Sequence, residues 1–357
     1  MVSLSQRLDN RKNNFDFIRF LAASLVIFSH SFPLTWGNDE KDPLYIFSNG
    51  QITVGHLSVV TFFVISGFLI TMSYDRNPNI ISFVKSRFLR IFPGLALMLL
   101  LTVFVLGPLL TTVPLHEYFT NPMTFDYLKN IYLHKPPFVL TGMFPNNPYK
   151  SVVNGSLWTL EYEAFCYLIV AVLGVLRLLR KEIVLLFLLF VMFGPFFMSF
   201  GTYYFTSSLS VEMVSYFMSG SVAYCFRKYI PMNKYLAIIS AAVLVGSFAY
   251  GHFKMIFPFF GTYLVMYTSF LPTERLWNFA KHGDFSYGIY IYAFPIQQTV
   301  AMFLGKGINP AKLFLFSLPI TLIFSVMSWY VIEKHALKLK QVHFLPKLHR
   351  SKTRTAS

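Results

Sequence analysis

The segment FDFIRFLAASLVIFSH, residues 15–30, places three ionisable side chains in an otherwise apolar stretch. Apolar stretches long enough to cross a bilayer as helices recur along the chain, and 183–200 and 313–332 contain no Asp, Glu, Lys or Arg. Of the 357 residues, 55% are hydrophobic and only 13% are charged, a composition typical of membrane proteins. The sequence therefore predicts an all-α, polytopic bundle of transmembrane helices.

The apolar pattern predicts about ten spans, each bounded by polar or charged residues. Most of the 30 Lys and Arg residues fall on the side of the amino terminus, so the positive-inside rule predicts that both termini are cytoplasmic, as in a bacterial inner-membrane protein. We expect one membrane domain over 1–340 and a basic cytoplasmic tail, 341–357, against anionic lipid. The predicted spans are 15–34, 55–73, 88–107, 158–176, 183–200, 208–226, 235–250, 254–271, 285–304 and 312–332.

Charge and cysteine usage exclude several other classes of protein. The net charge is +15, but the basic residues are scattered between apolar spans instead of lining one face, so we expect no nucleic-acid partner. Cys166 and Cys225 are the only cysteines, which excludes a disulfide framework. The histidines outside the spans lack the spacing of metal ligands, and we expect no metal.

The first span carries Asp16, Arg19 and His30. Eleven residues separate Arg19 from His30, which is close to three helical turns, so both side chains point to the same face. Asp16 lies three residues before Arg19 and can pair with it. Because ionisable groups inside a membrane are costly, we interpret Arg19 and His30 as site residues.

A second basic group, KSRFLRIFPGL at 85–95, opens the third span and contains Lys85, Arg87 and Arg90. Arg87 and Arg90 share a helix face, and two guanidinium groups at this spacing can grip phosphate. The competing interpretation is a basic anchor at the cytoplasmic surface.

The segment NGSLWTLEYEAFCY, 154–167, brings Glu161 and Glu163 into the fourth span. Residues two apart on a helix point to nearly opposite sides, so only one carboxylate faces the bundle, and the sequence leaves open which one. This span starts at the depth that His30 reaches, which predicts a histidine oriented by a carboxylate. Glu212, Asp284 and Glu333 are expected to brace the bundle.

Arginines at one end of a cavity and a histidine deeper inside suit coenzyme A, which has an anionic head and a long arm ending in a thioester. His30 would either deprotonate an acceptor hydroxyl or briefly take the acyl group itself. The expected co-substrate is acetyl-CoA.

The chain resembles the acyltransferase 3 family of integral-membrane acyltransferases, which includes O-acetylases of bacterial O-antigen and exopolysaccharide. The resemblance covers nearly the whole chain, and six segments in the expected order carry it. These segments are the Arg-x10-His pattern at 19–30, FFVISGFLIT at 62–71, RFLRIFP at 87–93, LWTLEYEAFCY at 157–167, SYGIYIYAFPIQ at 286–297 and SWYVIEKHAL at 328–337.

The resemblance implies a role for each matched residue. It makes Arg19 and His30 the essential pair, Arg87 and Arg90 contacts of acyl-CoA, and Glu163 the carboxylate that follows the Trp motif. The implied acceptor is a carbohydrate hydroxyl, free or lipid-linked. The alternatives from the residues alone are a transporter or flippase for polysaccharide or lipid-linked sugar, and an inactive subunit of a glycan-assembly complex.

Overall fold

A computed structural model describes residues 2–9, 12–198, 209–305 and 307–341. Over these ranges the chain is helical, and its only β-type pairings are two isolated bridges, Ser3 with Pro231 and Val139 with Val152. The prediction of an all-α fold is confirmed. The predicted basic tail lies outside the described residues from 342 onward.

Ten long helices, α1 to α10, follow one another in the described ranges, in the order that the hydropathy pattern predicts. They are α1 Phe15–Trp36, α2 Val54–Arg76, α3 Ile80–Leu101, α4 Trp158–Val175, α5 Lys181–Met198, α6 Leu209–Cys225, α7 Lys234–Tyr250, α8 Phe253–Ser269, α9 Ser286–Leu304 and α10 Pro310–Ser328.

Shorter helical segments cap or extend these long helices. Two π-helical segments, Thr102–Leu106 and Trp329–Glu333, prolong α3 and α10, and they continue as Gly107–Leu110 and Lys334–Lys338. The remaining short segments are Leu4–Asp9, Pro43–Phe47, Leu115–Thr120, Pro122–Asp126, Tyr127–Tyr132, Gly155–Leu157, Glu274–Leu276, Phe279–His282 and Leu339–Gln341.

Five of the helical stretches within the described residues are both long and apolar enough to cross a membrane, and a bent pair brings the number to six. The pair is Phe253–Ser269 with Glu274–His282, which meet at 89°. The count of about ten spans stays a prediction. The five stretches are Phe15–Trp36, Val54–Arg76, Ile80–Leu110, Gly155–Val175 and Pro310–Lys338.

The third span begins earlier than its predicted start at 88. Helix α3 starts at Ile80, because the side chain of Asn79 accepts a hydrogen bond from the Ser82 amide and caps the helix. The arginines therefore lie two and three turns inside the helix instead of at its first residues. We call the face where α1 begins the inner face of the bundle and the opposite one the outer face.

Helix α2 lies at the centre of the bundle, and α6 packs on it at two glycines. A Cβ atom on Gly67 would stand 1.8 Å from the Phe217 carbonyl oxygen, and one on Gly220 would stand 2.0 Å from that of Val64. Both backbones therefore approach more closely than any side chain permits, as is common where small residues join membrane helices.

The outer face is covered by the segment between α3 and α4. Tyr118 and Tyr127 are fully buried in it, and the Tyr118 hydroxyl donates to the Val103 carbonyl at 2.7 Å. Asn154 donates to the Ile291 carbonyl at 2.8 Å and ties the end of this segment to α9. The segment thus fixes where α4 enters the bundle.

We expect Gly220→Ala to destabilise the protein, because the added methyl group meets the α2 backbone and overpacking costs about 1–3 kcal/mol. The matched control is Gly246→Ala on α7, where no atom apart from the adjoining backbone of the same helix lies within 4 Å of the new Cβ. Melting of the detergent-purified variants should show a lower Tm for Gly220→Ala only. Equal Tm values would contradict the close approach of the two helices.

Candidate functional site

A cavity of about 900 Å³, including its open mouth, lies between α1, α2, α3, α4 and α9. Its walls are mainly aliphatic and aromatic, and three guanidinium groups and one carboxylate project into it. It is lined by Arg19, Val59, Phe62, Phe63, Ile65, Ser66, Leu69, Ile70, Arg87, Arg90, Ile91, Thr159, Leu160, Glu163, Tyr167, Ser286, Tyr287 and Tyr290.

Asp284, just before α9, pairs with two of the three cavity arginines. Its Oδ2 atom lies 2.5 Å from Arg90 and 3.3 Å from Arg19, and Arg19 also pairs with Asp16. Ser286 donates to Asp284 from its hydroxyl at 2.6 Å and from its amide at 3.2 Å. Burial alone would raise the pKa of Asp284, but Arg90 and Arg19 hold it well below its usual range. One carboxylate therefore joins α1 and α3 to the start of α9.

Arg87 is held differently from the other two arginines. Its Nε donates to the Ser86 hydroxyl at 3.1 Å, and its guanidinium lies 5.8 Å from the Phe83 ring and 5.9 Å from the Tyr167 ring. Contacts of this kind stabilise a cation without neutralising it. In the part of the chain that the structure describes, no carboxylate lies within ion-pair distance of Arg87. Its charge remains available to an anion.

The two glutamates of α4 point to different places, which settles the alternative that the sequence leaves open. Glu163 lines the cavity and accepts a hydrogen bond from Tyr167. Glu161 faces the outer segment, where it lies 2.7 Å from His134 Nδ1 and accepts from the Lys135 amide at 3.2 Å. Glu163 is therefore the carboxylate that faces the cavity.

His30 lies beyond the outer end of the cavity and is not one of its lining residues. The residue as a whole is partly exposed, and its ring meets the Phe294 ring edge to face, with centroids 5.2 Å apart. Phe294 follows Tyr290 by four residues on α9, so it lies about one helical turn beyond the cavity. His30 and Phe294 therefore contact each other outside the cavity lining.

The hydrogen-bonded pair of His30 with Glu163 is not formed. Nδ1 of His30 is buried without a hydrogen-bond partner, and within the described ranges Glu163 bonds only to Tyr167. The reason is depth along α4: Glu163 points toward the inner face, where Arg87 and Arg90 lie across the cavity. The prediction of a hydrogen bond between His30 and Glu163 is wrong, because the partner of Glu163 is Tyr167.

Lys85 and Glu212 lie outside the cavity lining. Lys85 is partly exposed. Glu212 pairs with His56 at 2.7 Å and with Lys254 at 3.0 Å, a bracing arrangement at the outer ends of α2, α6 and α8. Asp284, which is also expected to brace the bundle, pairs with Arg90 and Arg19, and only the fold brings it close to these arginines, which are 194 and 265 positions away.

The described part of the chain is an apolar helical bundle with three arginines and a glutamate in one cavity, an arrangement typical of a membrane protein with a buried functional site. The family model described as an acyltransferase domain, acyltransferase 3, matches residues 12–330. The chain belongs to this family and is a membrane acyltransferase.

Two curated proteins are similar over almost their entire length. An "O-acetyl transferase" of Shigella phage Sf6 is 29% identical over 336 residues, which cover 92% of this chain and 97% of that protein. "Nodulation protein 10" of Rhizobium leguminosarum bv. viciae is 26% identical over 371 residues, covering 94% of this chain and 96% of that protein. No solved structure matches the chain significantly.

We expect Asp284→Ala to destabilise the bundle, because it leaves Arg19 and Arg90 partly buried without their shared partner. Breaking such a pair costs about 3 kcal/mol when it is fully buried, and somewhat less here. The control is Asp126→Ala, which removes an exposed pair with Lys129 and should cost little. A Tm of Asp284→Ala equal to that of Asp126→Ala would contradict the role of the shared carboxylate.

Proposed function

We propose that the protein moves an acyl group, with acetyl expected, from cytoplasmic acyl-CoA to a carbohydrate hydroxyl. The acceptor would be of the O-antigen or exopolysaccharide type, free or lipid-linked. Membership of the acyltransferase 3 family and the relative named "O-acetyl transferase" support the reaction class. The identities of the donor, acyl-CoA, and of the acceptor, a carbohydrate, are the proposal.

The observation that carries the proposal is the cationic cavity between apolar helices. Three arginines line it, only Arg19 and Arg90 are paired by Asp284, and Arg87 keeps an unpaired charge among the described residues. A cavity with this balance favours an anionic ligand. Its aliphatic and aromatic walls beyond the arginines suit a flexible, weakly polar arm such as the pantetheine of coenzyme A.

In the proposed reaction, the arm reaches past Tyr290 and brings its thioester next to His30. The imidazole takes the proton of the acceptor hydroxyl while the hydroxyl oxygen attacks the thioester carbonyl carbon. The carbon–sulfur bond then breaks, and the departing thiolate receives the proton that the imidazolium carries. A second route first forms an acyl-imidazole, releases the thiol, and then passes the acyl group to the hydroxyl. Both routes conserve every atom.

The positions of the other predicted site residues suggest their roles in this scheme. Glu163 would orient Arg87 across the cavity, together with Tyr167, instead of orienting the imidazole. Arg19 and Arg90 would hold the donor's phosphates while remaining anchored to Asp284. Lys85, outside the lining, would add positive potential near the mouth.

The proposed direction of transfer requires an orientation in the membrane. We propose that the inner face, where the arginines lie, is cytoplasmic, with about ten spans, both termini on that side and a bacterial inner membrane around the bundle. The excess of Lys and Arg in segments at the inner face supports this orientation. Acyl-CoA would then enter from the cytoplasm, and the acceptor would approach from the outer face.

We expect His30→Ala to abolish transfer from radiolabelled acetyl-CoA to glycan while leaving membrane insertion and Tm unchanged. Loss of a general base or nucleophile typically reduces the rate by about 10²–10⁴-fold. The matched control is His116→Ala, which removes an exposed histidine of the outer segment. Full activity of His30→Ala would remove the catalytic assignment. Sugar flux in vesicles without labelled product would favour the transporter.

We expect Arg87→Ala to raise the KM for acetyl-CoA by about 10- to 100-fold with a smaller change in kcat. The reason is that a charge-assisted contact with phosphate is worth about 1.5–3 kcal/mol in the bound state. Arg180→Ala, at an exposed position on the same face, is the control. A lower kcat at unchanged KM would show that Arg87 does not bind the donor.

A further inference from the structure

The last described residues pack against the helix that carries the cavity arginines. The side chain of Glu333 lies 3.4 Å from where a Cβ atom of Gly94 would stand, and the short segment Leu339–Gln341 contacts α3. The extension of α10 runs toward the inner face and α3 runs away from it, so the two are antiparallel. The chain beyond Glu333 therefore passes the level of Arg90 and then that of Arg87, where Lys340 lies.

Arg87, Arg90 and Lys340 bring three positive charges to this place, where the carboxylates Asp284 and Glu333 lie near Arg90. Arg90 is paired by Asp284, but neither Arg87 nor Lys340 forms an ion pair within the described parts of the chain. The pKa of Lys340 is lowered to about 8 by desolvation and by repulsion from Arg87 and Arg90, although the side chain still reaches solvent. Two like charges held together by packing are stabilised by an anion between them.

We propose that Lys340 binds the 3′-phosphate of the acyl-CoA donor at the mouth of the cavity. This inference rests on the proposed function and extends it to a residue after the matched family region, which ends at 330. Along the donor, the thioester, the pyrophosphate and the 3′-phosphate follow in that order. A donor with its thioester toward His30 places its pyrophosphate near Arg87 and its 3′-phosphate outermost, where only Lys340 among the three cations reaches solvent freely.

A phospholipid headgroup offers the same phosphate chemistry, so the experiment separates the two sources. Lys340 lies on the segment Leu339–Gln341, which packs on α3, and Ala336, four residues earlier, is buried. Lys338 is exposed, carries the same charge, and lies only two residues away. It is a matched control for general attraction to the membrane, since a lipid surface would engage both lysines.

The test measures the Kd of coenzyme A and of dephospho-CoA, which lacks the 3′-phosphate, for the full chain in nanodiscs of neutral lipid. We expect Lys340→Ala to weaken coenzyme A about tenfold, which corresponds to about 1.4 kcal/mol, and to leave dephospho-CoA unchanged. Lys340→Arg should restore most of the affinity, and Lys338→Ala should stay within about twofold of wild type. The loss should shrink at high salt.

Two results would overturn the assignment. The first is equal binding of coenzyme A by wild type and Lys340→Ala, and the second is equal weakening of coenzyme A and dephospho-CoA. If the first result is found and Lys340→Ala also retains less phosphatidylglycerol than wild type in nanodiscs that contain this lipid, the lipid is the ligand. Failure of the wild type to bind coenzyme A at all would instead refute the proposed function together with this inference.

Discussion

The arrangement of the inner half of the bundle depends on how three guanidinium groups are kept charged between apolar helices. Removing a cation from water costs several kcal/mol unless nearby groups replace the lost hydration. Asp284 replaces the lost hydration of Arg19 and Arg90. For Arg87, two aromatic rings and the Ser86 hydroxyl replace part of it. The compensation is incomplete at Arg87, which has no ion-pair partner among the described residues. Affinity for an anion follows from this incomplete pairing.

The sequence predicts the helices well because membrane spans require long apolar runs, and these are read from the sequence one segment at a time. The helical period also predicts that Arg19 and His30 share a face, and of the two residues Arg19 lines the cavity. The same reasoning places Glu163 and the arginines in one bundle. Helix starts are less well predicted: the polar cap at Asn79 extends α3 by more than two turns beyond the apolar run.

Tertiary contacts decide which charged side chains are partners, and the spacing of residues in the sequence does not reveal these contacts. The partner of Arg90 is Asp284, 194 positions later, and nothing in either segment identifies the other. The expected partnership of His30 with Glu163 fails because depth was inferred from where the spans begin, whereas long side chains and the tilt of helices decide which groups meet. Choosing between Glu161 and Glu163 likewise required the position of the outer segment, whose His134 engages Glu161.

The position of Phe294 affects how the donor would reach His30 in the proposed reaction. Its ring is almost completely buried and contacts both His30 and the position of Gly155, whose Cβ atom would lie 2.8 Å from it. In the proposed reaction, the arm of the donor would have to pass this ring to reach His30. The ring would also keep water of the outer side away from a thioester held in the cavity, so that little donor would be hydrolysed before an acceptor is bound.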